Sequence, residues 1–204
     1  FSDSAISHTG IIDGASWAGP TWTTGKYGKA LLFDGIDDHV NIPDNPTLDV
    51  TGDITLKAWI WIESFSTSEG YHMYIVSKDT TGQRSYGIGV DLVWEKPRIP
   101  YFIVFDGTTY KVAWGTTTLE TETWYHIAGV FYASTGDLKL YLNGVLESTE
   151  PSSMTSIYSG TADLRIGARQ YLGHQCFFNG VIDEVRIYDY ALSASEIRLE
   201  YEML

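Results

Sequence analysis

Cysteine is nearly absent: the 204-residue chain has one, Cys176. No internal disulfide can form, and there is no Cys-x-x-Cys pair or zinc-finger spacing. No apolar run reaches the length of a membrane-spanning helix and no signal peptide is visible, so no membrane insertion is expected. The chain begins at Phe1 rather than Met, as expected of a mature product or an excised domain. Positive charge is scarce too: 13 Lys and Arg stand against 26 Asp and Glu, a formal net charge of −13. Such a field repels polyanions, so nucleic acid is not expected as a partner. Divalent cations, neutral glycans and basic surfaces remain compatible, as does plain solubility. The histidines, His8, His39, His72, His126 and His174, are scattered, with no His-x-His or His-Glu-x-x-His pair to hold zinc. His126, between Tyr125 and Ile127, reads as a satisfied core histidine. Gly-x-Ser-x-Gly is missing, and Gly87-Ile88-Gly89 sits in a strand pattern rather than opening a helix as a phosphate loop would.

Aromatic residues, by contrast, are plentiful, with seven Trp, 14 Tyr and eight Phe. Most apolar residues alternate in short runs between turn signals. In DITLKAWIWI, Ile54, Leu56, Ala58, Ile60 and Ile62 face one way and Thr55, Lys57, Trp59 and Trp61 the other, a strand covered on both sides toward its end. DLKLYLNGVLEST reads as a hairpin, because Asn143-Gly144 tolerates the positive φ of a type I′ turn. WYHIAGVFY reads as a buried central strand, and SYGIGVDLVW, IPYFIVFDG, YKVAWG, DLRIGAR and GVIDEVRIYD as further strands. Ser193 and Glu196 form a capping box that opens a short C-terminal helix. The expectation is an all-β, two-sheet antiparallel sandwich of about a dozen strands, one domain over residues 1–204.

Asp183 and Glu184 adjoin within a strand. Strand neighbours point to opposite faces, so the two are not expected to converge on one bond as an acid and base. A buried carboxylate needs a partner. For Asp183 this is either a calcium ion or the backbone N–H groups of a neighbouring loop, and Asp34-Gly35 is either part of a metal site or a plain Asx turn. Sugar rings stack on exposed aromatic faces while planar polar groups take their hydroxyls. Candidate ligand contacts on that chemistry are Trp94, Tyr101 and Trp114, with Arg169, Tyr171 and His174 in the GARQYLGHQC loop.

Three pieces in order resemble a LamG-like domain of the concanavalin A-like lectin/glucanase superfamily. They are GKYGKALLFDGIDDHVNIPDNPTLDVTGDITLKAWIWIES, WYHIAGVFYASTGDLKLYLNGVLEST, and LRIGAR followed by FNGVIDEVRIYDYALSASEI. The resemblance implies a jelly-roll sandwich with one concave and one convex sheet. It also implies binding of a glycan, such as a cell-surface polysaccharide, or of a surface protein, in an extracellular or surface-exposed setting. Many members carry calcium, which here implies a structural Ca2+ held by Asp3, Asp34, Asp37 and Asp183; the N-terminal stretch departs from the usual pattern at His8. The superfamily's glycosidase motif Glu-x-Asp-x-(x)-Glu and lyase signatures such as Gln-[Ile/Val]-His are missing. The chain thus reads as a non-catalytic, lectin-like carbohydrate-binding module, with a protein–protein adhesion module as the alternative and a hydrolase or lyase as the weaker one. Residues 71–122 are the least family-like and are where specificity is expected to lie.

Overall fold

The computed structural model describes residues 16–65, 71–92, 98–169 and 176–203. The strands are β1 (Ser16–Ala18), β2 (Thr21–Thr24), β3 (Lys29–Asp34), β4 (His39–Ile42), β5 (Ile54–Ile62), β6 (His72–Thr80) and β7 (Gln83–Asp91). They continue with β8 (Pro100–Phe105), β9 (Tyr110–Trp114), β10 (Trp124–Tyr132), β11 (Asp137–Leu142), β12 (Val145–Glu150), β13 (Leu164–Ile166) and β14 (Asn179–Tyr188). A 3-10 turn, Pro46–Leu48, lies between β4 and β5, and helix α1 (Ala194–Met203) closes the described chain.

Two antiparallel sheets stack as a jelly-roll sandwich. Sheet I runs β1-β4-β13-β6-β7-β8-β9 and sheet II runs β12-β11-β10-β5-β14-β3-β2. Alternation decides what lies between them. Ile54, Leu56, Ala58, Ile60 and Ile62 of β5 meet Tyr86, Ile88, Val90, Phe102 and Val104 of sheet I in one core. At the β11–β12 turn Asn143 and Gly144 both take positive φ, 50° and 75°, the geometry a type I′ turn requires.

The other side of β5 is also covered, as its mixed pattern predicts. Helix α1 lies on the outer face of sheet II, where Leu192 and Ile197 pack on Ala128, Val130 and Tyr141. Tyr201 stacks on Trp59 at 5.5 Å. Ser193 and Glu196 cap the helix reciprocally: Ser193 N donates to Glu196 Oε2 at 2.7 Å and Glu196 N to Ser193 Oγ at 3.3 Å. Buried Lys57 reaches Glu200 of the helix.

His126 is a correction. It is fully buried, but under α1 rather than between the sheets, and neither ring nitrogen has a hydrogen-bond partner. It sits opposite Trp59 and beside Tyr201, 5.4 and 6.1 Å between ring centres, so its surroundings there are aromatic rings. Burial first, and the nearby Lys57 ammonium second, push its imidazole down to about 3.

Asp183 and Glu184 correct the alternation argument. Trp59 faces Asp183 while Lys57 faces Arg186, so β14 carries one residue more than β5 across this interval. This is a β-bulge, and Glu184 takes a φ of 49° there. Ile182 and Val185 still enter the core, and both carboxylates turn to the outer, helix-covered side of sheet II. Asp183 Oδ2 accepts from Tyr27 N at 3.0 Å and its Oδ1 from Glu184 N at 2.8 Å. Glu184 Oε2 accepts from Arg186 Nη2 at 2.8 Å.

Candidate functional site

The outer face of sheet I gathers the residues able to meet a ligand. Four strands put one residue each into a cross-strand row: Tyr74 pairs with Gly89, Gly89 with Tyr101, and Tyr101 with Trp114. Their neighbours Met73, Val90, Phe102 and Ala113 point into the core, so the row points away from it. Gly89 is required. A Cβ there would lie 2.8 Å from the Tyr101 hydroxyl. Its absence lets the Tyr101 ring lie across the strand toward Tyr74, 5.7 Å away and edge-on at 85°. Tyr101 is flanked by Trp114 at 5.4 Å and by His72 at 5.6 Å.

Beside this floor opens a cavity of about 340 Å³ lined by Tyr71, His72, Arg169 and Cys176. Arg169 is 8% exposed. Its Nε lies 2.7 Å from Asp79 Oδ2, which also takes Arg84 Nε at 2.9 Å. Its guanidinium lies over the Tyr74 ring at 5.6 Å. Burial lowers the His72 imidazole, and Arg169 and Arg84 act in the same direction against Asp91, whose Oδ1 lies 3.4 Å from Nδ1. A lowered His72 is neutral near pH 7 and offers a ligand one donor and one acceptor. Burial raises the Tyr74 and Tyr101 phenols, which therefore stay protonated.

The structure brings Tyr101, Trp114 and Arg169 together. Trp94, Tyr171 and His174 lie outside the described residues. Tyr101 needs correction as an exposed contact: it is 2% exposed, because its ring fills the space over Gly89, so it is part of the floor. Trp114 is half-buried and Tyr71 is 45% exposed. Tyr71 and His72 were missed by the sequence argument. Their signal is a Tyr-His pair before the apolar run MYIV, a run that reads as a strand only when both faces are known to be covered.

The expected metal set comes together only in part. Asp34, Asp37 and Asp38 place ligand oxygens within 4.8 Å of one another, with Asp38 buried. Asp34 Oδ1 accepts from Ile36 N at 2.8 Å and Asp37 N at 3.3 Å, and Asp38 Oδ2 accepts from Asp34 N at 3.0 Å. Burial raises the Asp38 carboxyl; the Asp34 N–H opposes the rise and the charges of Asp34 and Asp37 reinforce it. Three hard carboxylate donors suit a Ca2+ ion. Asp183 does not join them. Asn179 is the residue of β14 opposite Asp34, and Asp183 stands four residues further along, roughly 13 Å at strand rise. Its carboxylate oxygens are taken by Tyr27 N and Glu184 N instead. Asp3 lies outside the described residues, and Asp38 is the acid the sequence argument passed over.

Two stacked antiparallel sheets make the jelly-roll sandwich, with a cavity on the outer face of sheet I. The chain belongs to the concanavalin A-like lectin/glucanases superfamily, whose family model matches residues 34–198. Solved structures share the fold. The binding domain of Paraclostridial Mosquitocidal Protein 1 aligns with a TM-score of 0.74 and 15% identity over 93% of this chain and 47% of that one. Domain 4 of AbnA, a GH43 extracellular arabinanase from Geobacillus stearothermophilus in complex with arabinotriose, aligns at 0.70 and 20% over 96% and 91%. The botulinum neurotoxin serotype D ligand binding domain in complex with N-acetylneuraminic acid aligns at 0.65 and 15% over 95% and 45%. The chain thus spans about half the length of the two toxin domains. At these identities the likeness is one of fold. No curated protein matches.

Proposed function

We propose that this domain is a non-catalytic carbohydrate-binding module whose site is the cavity between Tyr71, His72, Arg169 and Cys176. The observation that carries the reading is the layered construction there. A buried ring floor, Tyr74 and Tyr101, supports an exposed Tyr71, a neutral imidazole and an ion-paired guanidinium around one opening of about 340 Å³. An exposed ring takes a sugar face, and fixed donors and acceptors take its hydroxyls. Structures of the same fold in complex with arabinotriose and with N-acetylneuraminic acid support the ligand class. The Arg169–Asp79–Arg84 group is held by its own ion pairs, so its role is orientation rather than proton transfer. Asp34, Asp37 and Asp38 would hold a structural Ca2+, and the setting would be extracellular or at a cell surface.

The test is a glycan array followed by calorimetry on each hit. Tyr71→Ala and Trp114→Ala should weaken binding with an unchanged unfolding midpoint. An array without hits, or hits indifferent to both substitutions, overturns the reading.

A further inference from the structure

A second opening lies at the other end of the sandwich. It has a volume of about 510 Å³, and its walls include Thr47, Asp49, Thr51, Tyr188, Asp189 and Tyr190. The 3-10 turn after β4 supplies one wall and the end of β14 the other. Lys78, whose ammonium reaches Asp49, and His72 of the first cavity stand six residues apart on β6, roughly 20 Å at strand rise. The two openings are therefore separate.

We propose that this opening is a second saccharide subsite, for an uncharged sugar unit, and that the domain is bivalent. Tyr190 is 50% exposed and rests 5.3 Å from the Tyr188 ring, a platform for one sugar face. Its backbone is fixed from below: fully buried Thr55 donates through Oγ1 to Tyr190 O at 2.9 Å and accepts from Leu192 N at 3.0 Å. Across the opening Asp49 is held by the Lys78 ammonium at 3.2 Å. Thr47 donates from N and Oγ1 to Asn45 Oδ1 at 3.0 and 2.9 Å, which leaves the hydroxyl oxygen as an acceptor. Two carboxylates and two threonine hydroxyls around one opening, with Asp49 and Thr47 held in place, suit vicinal sugar hydroxyls. The charged lining residues are the acids Asp49 and Asp189, with no Lys or Arg among the described lining, so sugars bearing carboxylate or sulfate are repelled. Two separate subsites let one domain hold two glycan strands, or two stretches of one, with the gain of multivalent attachment.

The inference takes its ligand class from the saccharide reading above and its place from different residues. The test is calorimetry with arabinotriose, cellotriose and maltotriose as neutral probes and sialyllactose as the acidic comparator. A neutral probe should bind at two per chain, and Tyr190→Ala should remove one of the two by weakening it roughly tenfold or more. Tyr71→Ala should remove the other. Asp189→Ala, on an exposed side chain, should weaken the Tyr190 site and leave the unfolding midpoint in place. One site lost in Tyr71→Ala and unmoved by Tyr190→Ala overturns the second subsite and leaves the first standing. One site lost in Tyr190→Ala and unmoved by Tyr71→Ala does the reverse. No heat from any probe overturns both.

Discussion

His126 should make this domain sensitive to mild acid. Its ring is fully buried against Trp59 and Tyr201 with both nitrogens unpartnered, and its folded value is about 3, against about 6.5 for a free imidazole. The folded value is depressed, so the unfolded chain binds the proton more tightly. Stability is then complete above pH ~6.5 and falls as pH drops from there toward 3. From pH 7 to pH 5 the loss from this group is about 2 kcal/mol, since each pH unit below the free value costs about 1.4 kcal/mol. His72 and the carboxylates titrate too, so the measurement is a difference: urea unfolding at both pH values for the wild type and for His126→Phe. The wild type should lose about 2 kcal/mol more than the variant. At pH 7 the variant should equal or exceed the wild type, because an apolar ring replaces one whose orphaned nitrogens cost about 1–3 kcal/mol. Equal pH dependence in the two proteins would refute the reasoning.

Three further outcomes follow from buried charge and backbone acceptors. Lys78 is fully buried, with its ammonium 2.5 Å from Asp44 Oδ1 and 3.0 and 2.8 Å from the Gly160 and Ala162 carbonyls. Lys78→Met should cost about 3 kcal/mol by denaturant titration, since it strands these acceptors. Gly25→Ala should cost about 1–3 kcal/mol, because its Cβ would lie 2.4 Å from Asp183 Oδ2 and displace the carboxylate from Tyr27 N. Millimolar calcium should raise the unfolding midpoint at pH 7. Asp38→Asn should raise it without calcium and abolish the response, since the raised Asp38 carboxyl makes its charged form unfavourable above the carboxylate range.

Legibility in the sequence followed alternation and turn chemistry. The core face of β5, the Asn143-Gly144 turn and the Ser193 cap each depend on one period or one local bond, and each stands where the pattern puts it. Strand β6 did not show itself, because HMYIVSKDT is buried on both faces and has no alternation to display. The bulge at Asp183 was hidden for another reason: Glu184 takes the positive φ that a glycine would have advertised. For the site, Trp114 and Arg169 were within reach as residue types on short segments. The burial of Tyr101 depends on Gly89 across a strand pairing, and the grouping of Asp38 with Asp34 and Asp37 on a loop turning inward. Neither relation is written in neighbouring residues.

The most direct measurement is amide chemical-shift mapping of the isotopically labelled domain with a neutral oligosaccharide that the array selects. The account predicts shifts at residues 71–74, Gly89 and Arg169, saturating with concentration. Shifts confined to the α1 and β12 surface, or none at saturating sugar, would contradict it.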